Sequence, residues 1–189
     1  MITVLIGKSA SGKNTIQNQL VERYGFGKIV TYTTRPPRNG EIEGEDYHFI
    51  SEKEFVQKEK EIFFMETCLY HASYGDVQYG SRRIDYIVSP THENRVLILN
   101  PHGVKAVMDE MGDGYYFDSI RFVYLDVVDD VLFRRLHERG DDPQEISRRM
   151  VADKKDFKWV EKMCLAGKIS RIDASYKSIE DICQEIIEK

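Results

Sequence analysis

The chain has 189 residues, 41% of them hydrophobic, which suits one compact domain with a sizeable core. Its formal net charge of −5 gives no general attraction for polyanions, so a nucleic-acid partner is not expected and phosphate binding must come from locally focused arginines. No apolar run approaches the roughly 20 residues that span a bilayer, the chain opens on a core strand instead of a basic leader, and Cys68, Cys164 and Cys183 are scattered, so no membrane, disulfide framework or CxxC metal site is expected and a reducing cytoplasm fits best.

In chain order, the apolar run Ile2 to Ile6 reads as a buried strand feeding the loop Gly7-Lys8-Ser9-Ala10-Ser11-Gly12-Lys13-Asn14-Thr15. Such a loop cradles phosphate. Gly7 and Gly12 let the backbone turn its N–H groups toward one point, Lys13 reaches the outer phosphates, and the next helix aims its positive end at them. Serine or threonine usually follows the lysine, where its hydroxyl holds Mg²⁺; here that residue is Asn14, so no strong protein ligand for the metal is expected beyond Asn14 or Thr15. Ile16, Leu20 and Tyr24 mark one face of the following helix, and Gly25 supplies a left-handed stop. A surface glycine turn with a solvated lysine is the bland alternative, disfavoured by the strand before it and the helix after it.

Further strands are predicted over 28–31, 95–99, 119–125 and 169–172, alternating with helices over 128–139 and 143–165 and a last helix capped by Ser178. Val128, Val131, Leu132 and Leu136 carry the first of these. Asp142-Pro143-Gln144-Glu145 opens the second as a capping box with proline in the first turn, and Ile179, Ile182, Cys183, Ile186 and Ile187 share a face of the third. The alternation implies parallel strands with crossover helices, an α/β fold. His48, His71, His92, His102 and His137 lie too far apart for zinc spacing and none is expected to ligate a metal.

Residues 32–84 break this rhythm with turn clusters, short alternating runs and many aromatics, and read as an insertion whose one helix is a short one after Ser51. At its start stands Thr31-Tyr32-Thr33-Thr34-Arg35-Pro36-Pro37-Arg38-Asn39-Gly40-Glu41-Ile42-Glu43-Gly44-Glu45-Asp46-Tyr47-His48-Phe49-Ile50-Ser51. With the phosphate loop upstream, and with Leu136 to Gly140 and Arg148-Arg149 downstream, the chain resembles the guanylate kinases over essentially its whole length. The resemblance implies a P-loop parallel sheet flanked by helices. It divides the chain into a core (1–31, 85–133 and 153–189), an acceptor-binding insertion (32–84) and a short lid (134–152).

It also implies transfer of the terminal phosphoryl of ATP, with Mg²⁺, to GMP. Planar arginines bind a monophosphate through paired hydrogen bonds, a role that suits Arg35 and Arg38. By similarity, Glu41 belongs to the same site, Tyr47 and Tyr79 add hydroxyls, and Glu66 accepts from guanine N1 and N2, while Thr31 and Ser81 face O6. Glu66 is read as closing the strand-like run Phe63-Phe64-Met65. The bland readings are that Arg35 and Arg38 are exposed charges paired with Glu41 or Asp46, and that Glu66 is solvated. Tyr79-Gly80-Ser81 is aligned with the family's Tyr-Gly turn because Arg82-Arg83-Ile84 follows as a helix start would, with Tyr74-Gly75 as the other candidate.

Arg139 and Arg149 fit the lid role better than Arg135. Arg134, Arg135, Arg139 and Arg148 cannot all point inward, so some must form a solvated face.

Three departures from the family pattern stand out. One is that the segment Tyr70 to Gly80 is a few residues longer than the family's turn. Asn14 is another; adenylate kinases, which carry glycine there followed by threonine, tolerate the change. Ile98 and Asn100 replace a pair of aspartates ahead of Pro101-His102-Gly103-Val104, though the Asn100 amide oxygen can accept from the guanine amine. Two further functions remain open on these grounds: a non-catalytic binding module of the same fold, and a kinase acting on a phosphorylated sugar.

Overall fold

A computed structural model describes residues 1–72, 75–86, 94–112 and 120–188. Tyr74, His92 and position 119 lie outside them, so the Tyr74-Gly75 alternative and the start of the predicted 119–125 strand are not addressed.

A five-stranded parallel sheet forms the centre, in the order β2 (Gly27–Lys28), β7 (Arg95–Ile98), β1 (Ile2–Ile6), β8 (Ile120–Asp126), β9 (Ser170–Asp173). Every residue of β1 is buried, because helices cover both faces and a fully covered parallel strand must be apolar throughout. Strand alternation then sorts the core into two layers. Ile2, Val4 and Ile6 join Leu97, Phe122 and Tyr124 beneath Val104 and Val107 of α3 (Pro101–Met111) and Phe157 and Val160 of α5 (Pro143–Leu165). Leu5, Val96, Val123 and Leu125 face the other way, against α1 (Lys13–Tyr24), α4 (Asp129–Glu138) and α6 (Ile179–Glu188).

Most helix signals hold. Gly25 ends α1 at φ 71°, and the Ser178 hydroxyl accepts the Asp181 N–H at the start of α6. Asp142 caps α5 by accepting from the Gln144 and Glu145 N–H groups, but the reciprocal arm of the predicted box is absent from the bonds seen: the Glu145 carboxylate is engaged by Arg148 and Arg149. Val128 caps α4 from outside and is exposed, and Ile179 and Ile187 sit at the exposed margin of the α6 stripe, whose buried residues are Ile182, Cys183 and Ile186.

The predicted 28–31 strand is shorter than expected. Pairing covers Gly27–Lys28, and after Ile29 donates one bond to Val96 the chain leaves for a second sheet.

That sheet has the order β4 (His48–Phe49), β3 (Tyr32–Thr33), β6 (Gly75–Arg82), β5 (Phe64–Ala72). Beside it lies α2 (Glu52–Lys60), capped by Ser51, whose Phe55 stacks on Phe64 at 4.5 Å between ring centroids. Glu66 therefore lies near the start of a nine-residue strand and does not close one. The segment Tyr70 to Gly80, compared from sequence with a turn, pairs through its described residues, 70–72 and 75–80, in the antiparallel strands β5 and β6. Arg82 ends β6, and the helix start expected at Arg82-Arg83-Ile84 is a single 3₁₀ turn over Arg83–Tyr86. Among the described residues no helix is long and apolar enough to cross a membrane.

Candidate active site

The chain leaves β1 at Ile6 between β7 and β8, where successive connections run to opposite sides of the sheet and a crevice opens at the carboxyl ends of the strands. The glycine loop turns there. A Cβ on Gly7 would lie 2.3 Å from Ser11 Oγ, so glycine alone permits this approach. Ala10 and Gly12 have φ of 61° and 92°, a left-handed region that Ala10 occupies under strain.

The Lys13 ammonium folds back onto the loop, donating to the Gly7 and Lys8 carbonyl oxygens at 2.7 and 2.9 Å. Burial pushes its pKa down to about 8; Asp153 opposes the fall and Arg139 adds to it. Asn14 and Thr15 stand exposed at the start of α1 and line the same cleft. Their amide and hydroxyl oxygens are hard donors of the kind Mg²⁺ accepts. Two such neutral oxygens fit a Mg²⁺ held mainly by the phosphates it accompanies.

Across the cleft, of about 700 Å³, stands Glu66, 5% exposed. A register shift between Phe64 and Glu66, with Met65 as the extra residue, turns the glutamate inward. Burial raises its pKa to about 7, against the bond from Ser81. The Ser81 hydroxyl donates to Glu66 Oε1 at 2.8 Å and lies 2.7 Å from the Tyr86 hydroxyl, so Ser81 is buried in support of Glu66, behind the position where sequence reasoning put it. Thr31 lines the cleft itself.

Asn100 caps α3: its Oδ1 accepts the Gly103 N–H at 2.8 Å and its Nδ2 donates to Cys68 Sγ at 3.2 Å. One lone pair of the oxygen expected to read the guanine amine is thus committed to the helix. The sequence reading missed how close Gly103 lies to the Glu66 carboxylate: a Cβ there would come 3.0 Å from its Oε2.

Arg35 is 3% exposed and makes a two-pronged pair with Glu41, at 2.8 and 2.9 Å, while its Nε is buried without a protein partner. Pairing with Glu41 is as the bland reading had it, but the exposure is not. The arginine stays firmly charged: burial works against the charge, and the bonds to Glu41 and Tyr79 outweigh it. Glu41 is held below the ordinary carboxylate range, because bonds from Arg35 and the Arg38 N–H overcome its partial burial. Arg38 is exposed on the cleft. Tyr47 and Tyr79 line it as an edge-to-face pair 5.9 Å apart, with the Arg35 guanidinium 5.3 Å from the Tyr47 ring centroid.

On the third side, between α4 and α5, Arg139 pairs with Asp141, and Arg149 with Asp141 and Glu145, at 3.1 and 2.8 Å for Arg149. Arg148 shares Glu145, whose pKa drops to about 2, chiefly through the Arg148 bond. Arg135, the weaker candidate from sequence, is the arginine that bonds the loop, Nη1 to the Ala10 carbonyl oxygen at 3.3 Å, whereas Arg134 faces solvent beside Glu138. Asp153 was overlooked. It lies one helical turn after Arg149, a spacing that puts the two on one face of α5, and its Oδ2 accepts the Ser9 N–H at 2.7 Å.

The guanylate kinase family model matches residues 1–186. A guanylate kinase from Oleidesulfovibrio alaskensis is 32% identical over 158 residues, covering 81% of this chain and 71% of the relative. One from Latilactobacillus sakei is 30% identical over 190 aligned positions, 97% of this chain and 88% of the relative. In fold, the chain is similar to the crystal structure of guanylate kinase from Anaplasma phagocytophilum, with a TM-score of 0.65 at 22% identity, over all of this chain and 82% of that one. The phosphate loop and the cleft around Glu66 thus sit in a chain that belongs to the guanylate kinase family.

Proposed function

We propose that this protein transfers the terminal phosphoryl group of ATP to GMP, giving ADP and GDP. The observation that carries this reading is that one cleft is lined both by the phosphate loop with Lys13 and by the buried carboxylate of Glu66.

The donor is assigned to Gly7 through Thr15, with Ser9, Ala10, Ser11, Gly12 and Asn14 supplying backbone N–H groups and Lys13 and Arg135 supplying charge. Glu66 suits guanine because an ionised carboxylate only accepts, and guanine offers N1–H and an amine where adenine offers a bare N1. Thr31 and Asn100 border the base. Arg35, Arg38, Tyr47 and Tyr79 surround the acceptor phosphate, with Glu41 holding Arg35 in register. Arg139 and Arg149, now tied to Asp141 and Glu145, would turn to the phosphoryl group in transit. Phosphoryl transfer is carried by positioning and charge neutralisation, so no covalent enzyme intermediate is required. Mg²⁺ would neutralise phosphate charge near Asn14 and Thr15 when bound with the nucleotide.

We assign 32–84 to acceptor binding, 134–152 to a lid and the remainder to the core. Cytoplasmic residence accords with this chemistry. A panel of acceptors against ATP and Mg²⁺ tests the reading: GMP should be phosphorylated faster than any other acceptor. A preferred sugar phosphate, or binding of GMP without turnover, would overturn it.

A further inference from the structure

Two features of the phosphate loop show which groups of the protein itself satisfy it. Lys13 donates to the loop's own carbonyl oxygens, and the Ser9 N–H is capped by a carboxylate arriving from a distant helix, Asp153 Oδ2 at 2.7 Å. A carboxylate oxygen on a loop N–H has the charge and reach of a phosphate oxygen. It also sits near enough to Lys13 to raise that group's affinity for a proton. Asp153 belongs to α5, the helix that carries Arg148 and Arg149, and its charge also acts on Tyr70, as do the charges of those two arginines.

We infer that Asp153 is a positioning residue: in the free enzyme its carboxylate stands in for a donor phosphate oxygen on the loop, and donor phosphates expel it, freeing α5 and its arginines to move. The reason is electrostatic. A polyphosphate on the Ser9 side of the loop and the Asp153 carboxylate cannot share the same N–H, and like charges repel strongly where water is scarce. Since α5 is one continuous helix, displacement of Asp153 is felt one turn away at Arg149. The competition lowers donor affinity and links the donor's arrival to release of the arginines.

This inference rests on the loop being the donor site, so its test carries a control for that assignment. Binding of adenosine, ADP and ATP (the nucleotides with Mg²⁺) is measured by calorimetry at pH 6.5, where Lys13 is charged, for wild type, Asp153→Ala, Asp153→Asn and Lys13→Ala. Asp153→Ala should bind ATP and ADP about tenfold more tightly, the scale of one competing bond to a charged group. Adenosine binding should be unchanged. Asp153→Asn, which keeps an acceptor without charge, should fall between, and in turnover the KM for ATP should drop in Asp153→Ala without a matching rise in kcat. Weaker or unchanged ATP binding in Asp153→Ala, or an equal effect on adenosine, overturns the inference. If Lys13→Ala binds ATP as wild type does, the donor-site assignment itself fails.

Discussion

At the scale of single residues, the two ends of the cleft titrate in opposite senses. Lys13 must be charged to hold phosphate, and burial has lowered its pKa to about 8, so kcat/KM for ATP should fall as pH rises through about 8. Lys13→Ala should cost at least ~100-fold in turnover, the scale of removing a preorganised charge from a transferring phosphoryl group. Steady-state rates on a variant of unchanged circular dichroism check this; near-normal turnover would contradict the loop's role. Glu66 must be ionised to accept from guanine. Its raised pKa of about 7 means that kcat/KM for GMP should climb as pH rises through about 7, leaving an optimum between the two values. Glu66→Gln should lower efficiency with GMP by roughly ten- to 150-fold, equivalent to about 1.5–3 kcal/mol, and flatten that acid limb, with ATP affinity little changed. A GMP-to-AMP efficiency ratio that survives the substitution would remove Glu66 as the guanine reader.

At the scale of elements, the site depends on where helices begin. Asn100 starts α3 and brings Gly103 against Glu66. Gly103→Ala should therefore raise helix propensity yet push the carboxylate aside. The expected outcome is loss of GMP efficiency with ATP binding intact, measured side by side; equal effects on both nucleotides would say that α3 itself had shifted. Asp142 starts α5, and Asp142→Ala should destabilise the protein by about 0.5–2 kcal/mol in denaturant unfolding.

These elements differ in how plainly the sequence announced them. β1, the loop and α1 were legible because their signals are local: an unbroken apolar run, two glycines, a fourfold spacing. β5 was not, because its inward positions include Glu66 and Cys68, and a buried polar residue erases the alternation by which a strand is recognised. Arg135 and Asp153 were misjudged or missed for a related reason. Both meet the loop across more than a hundred residues of chain, and no local pattern encodes such a meeting.

At the scale of the whole molecule, the three walls of the cleft come from separate stretches of chain, and several of their arginines pair with the protein's own acids. Arg35 lies with Glu41, Arg139 with Asp141, and Arg149 with Asp141 and Glu145. Arg139 and Arg149 must leave those acids to reach the nucleotides, so a bisubstrate analogue should draw the second sheet and the α4–α5 segment toward the loop, with a measurable fall in radius of gyration. Unchanged scattering would refute closure of both segments.

The central position of β1 has a consequence for assembly. The phosphate loop is made well before the strands that flank its anchoring strand, whose paired residues begin at Arg95 and Ile120. Until both have left the ribosome, β1 has at least one open edge, and the layer of α3 and α5, which covers one of its faces, is incomplete or still to come. Such distant pairing is slow to close, and an incomplete chain with an unprotected apolar strand is the form most exposed to aggregation. The strand order that opens a crevice for chemistry thus makes the earliest-born part of the site among the last to be secured.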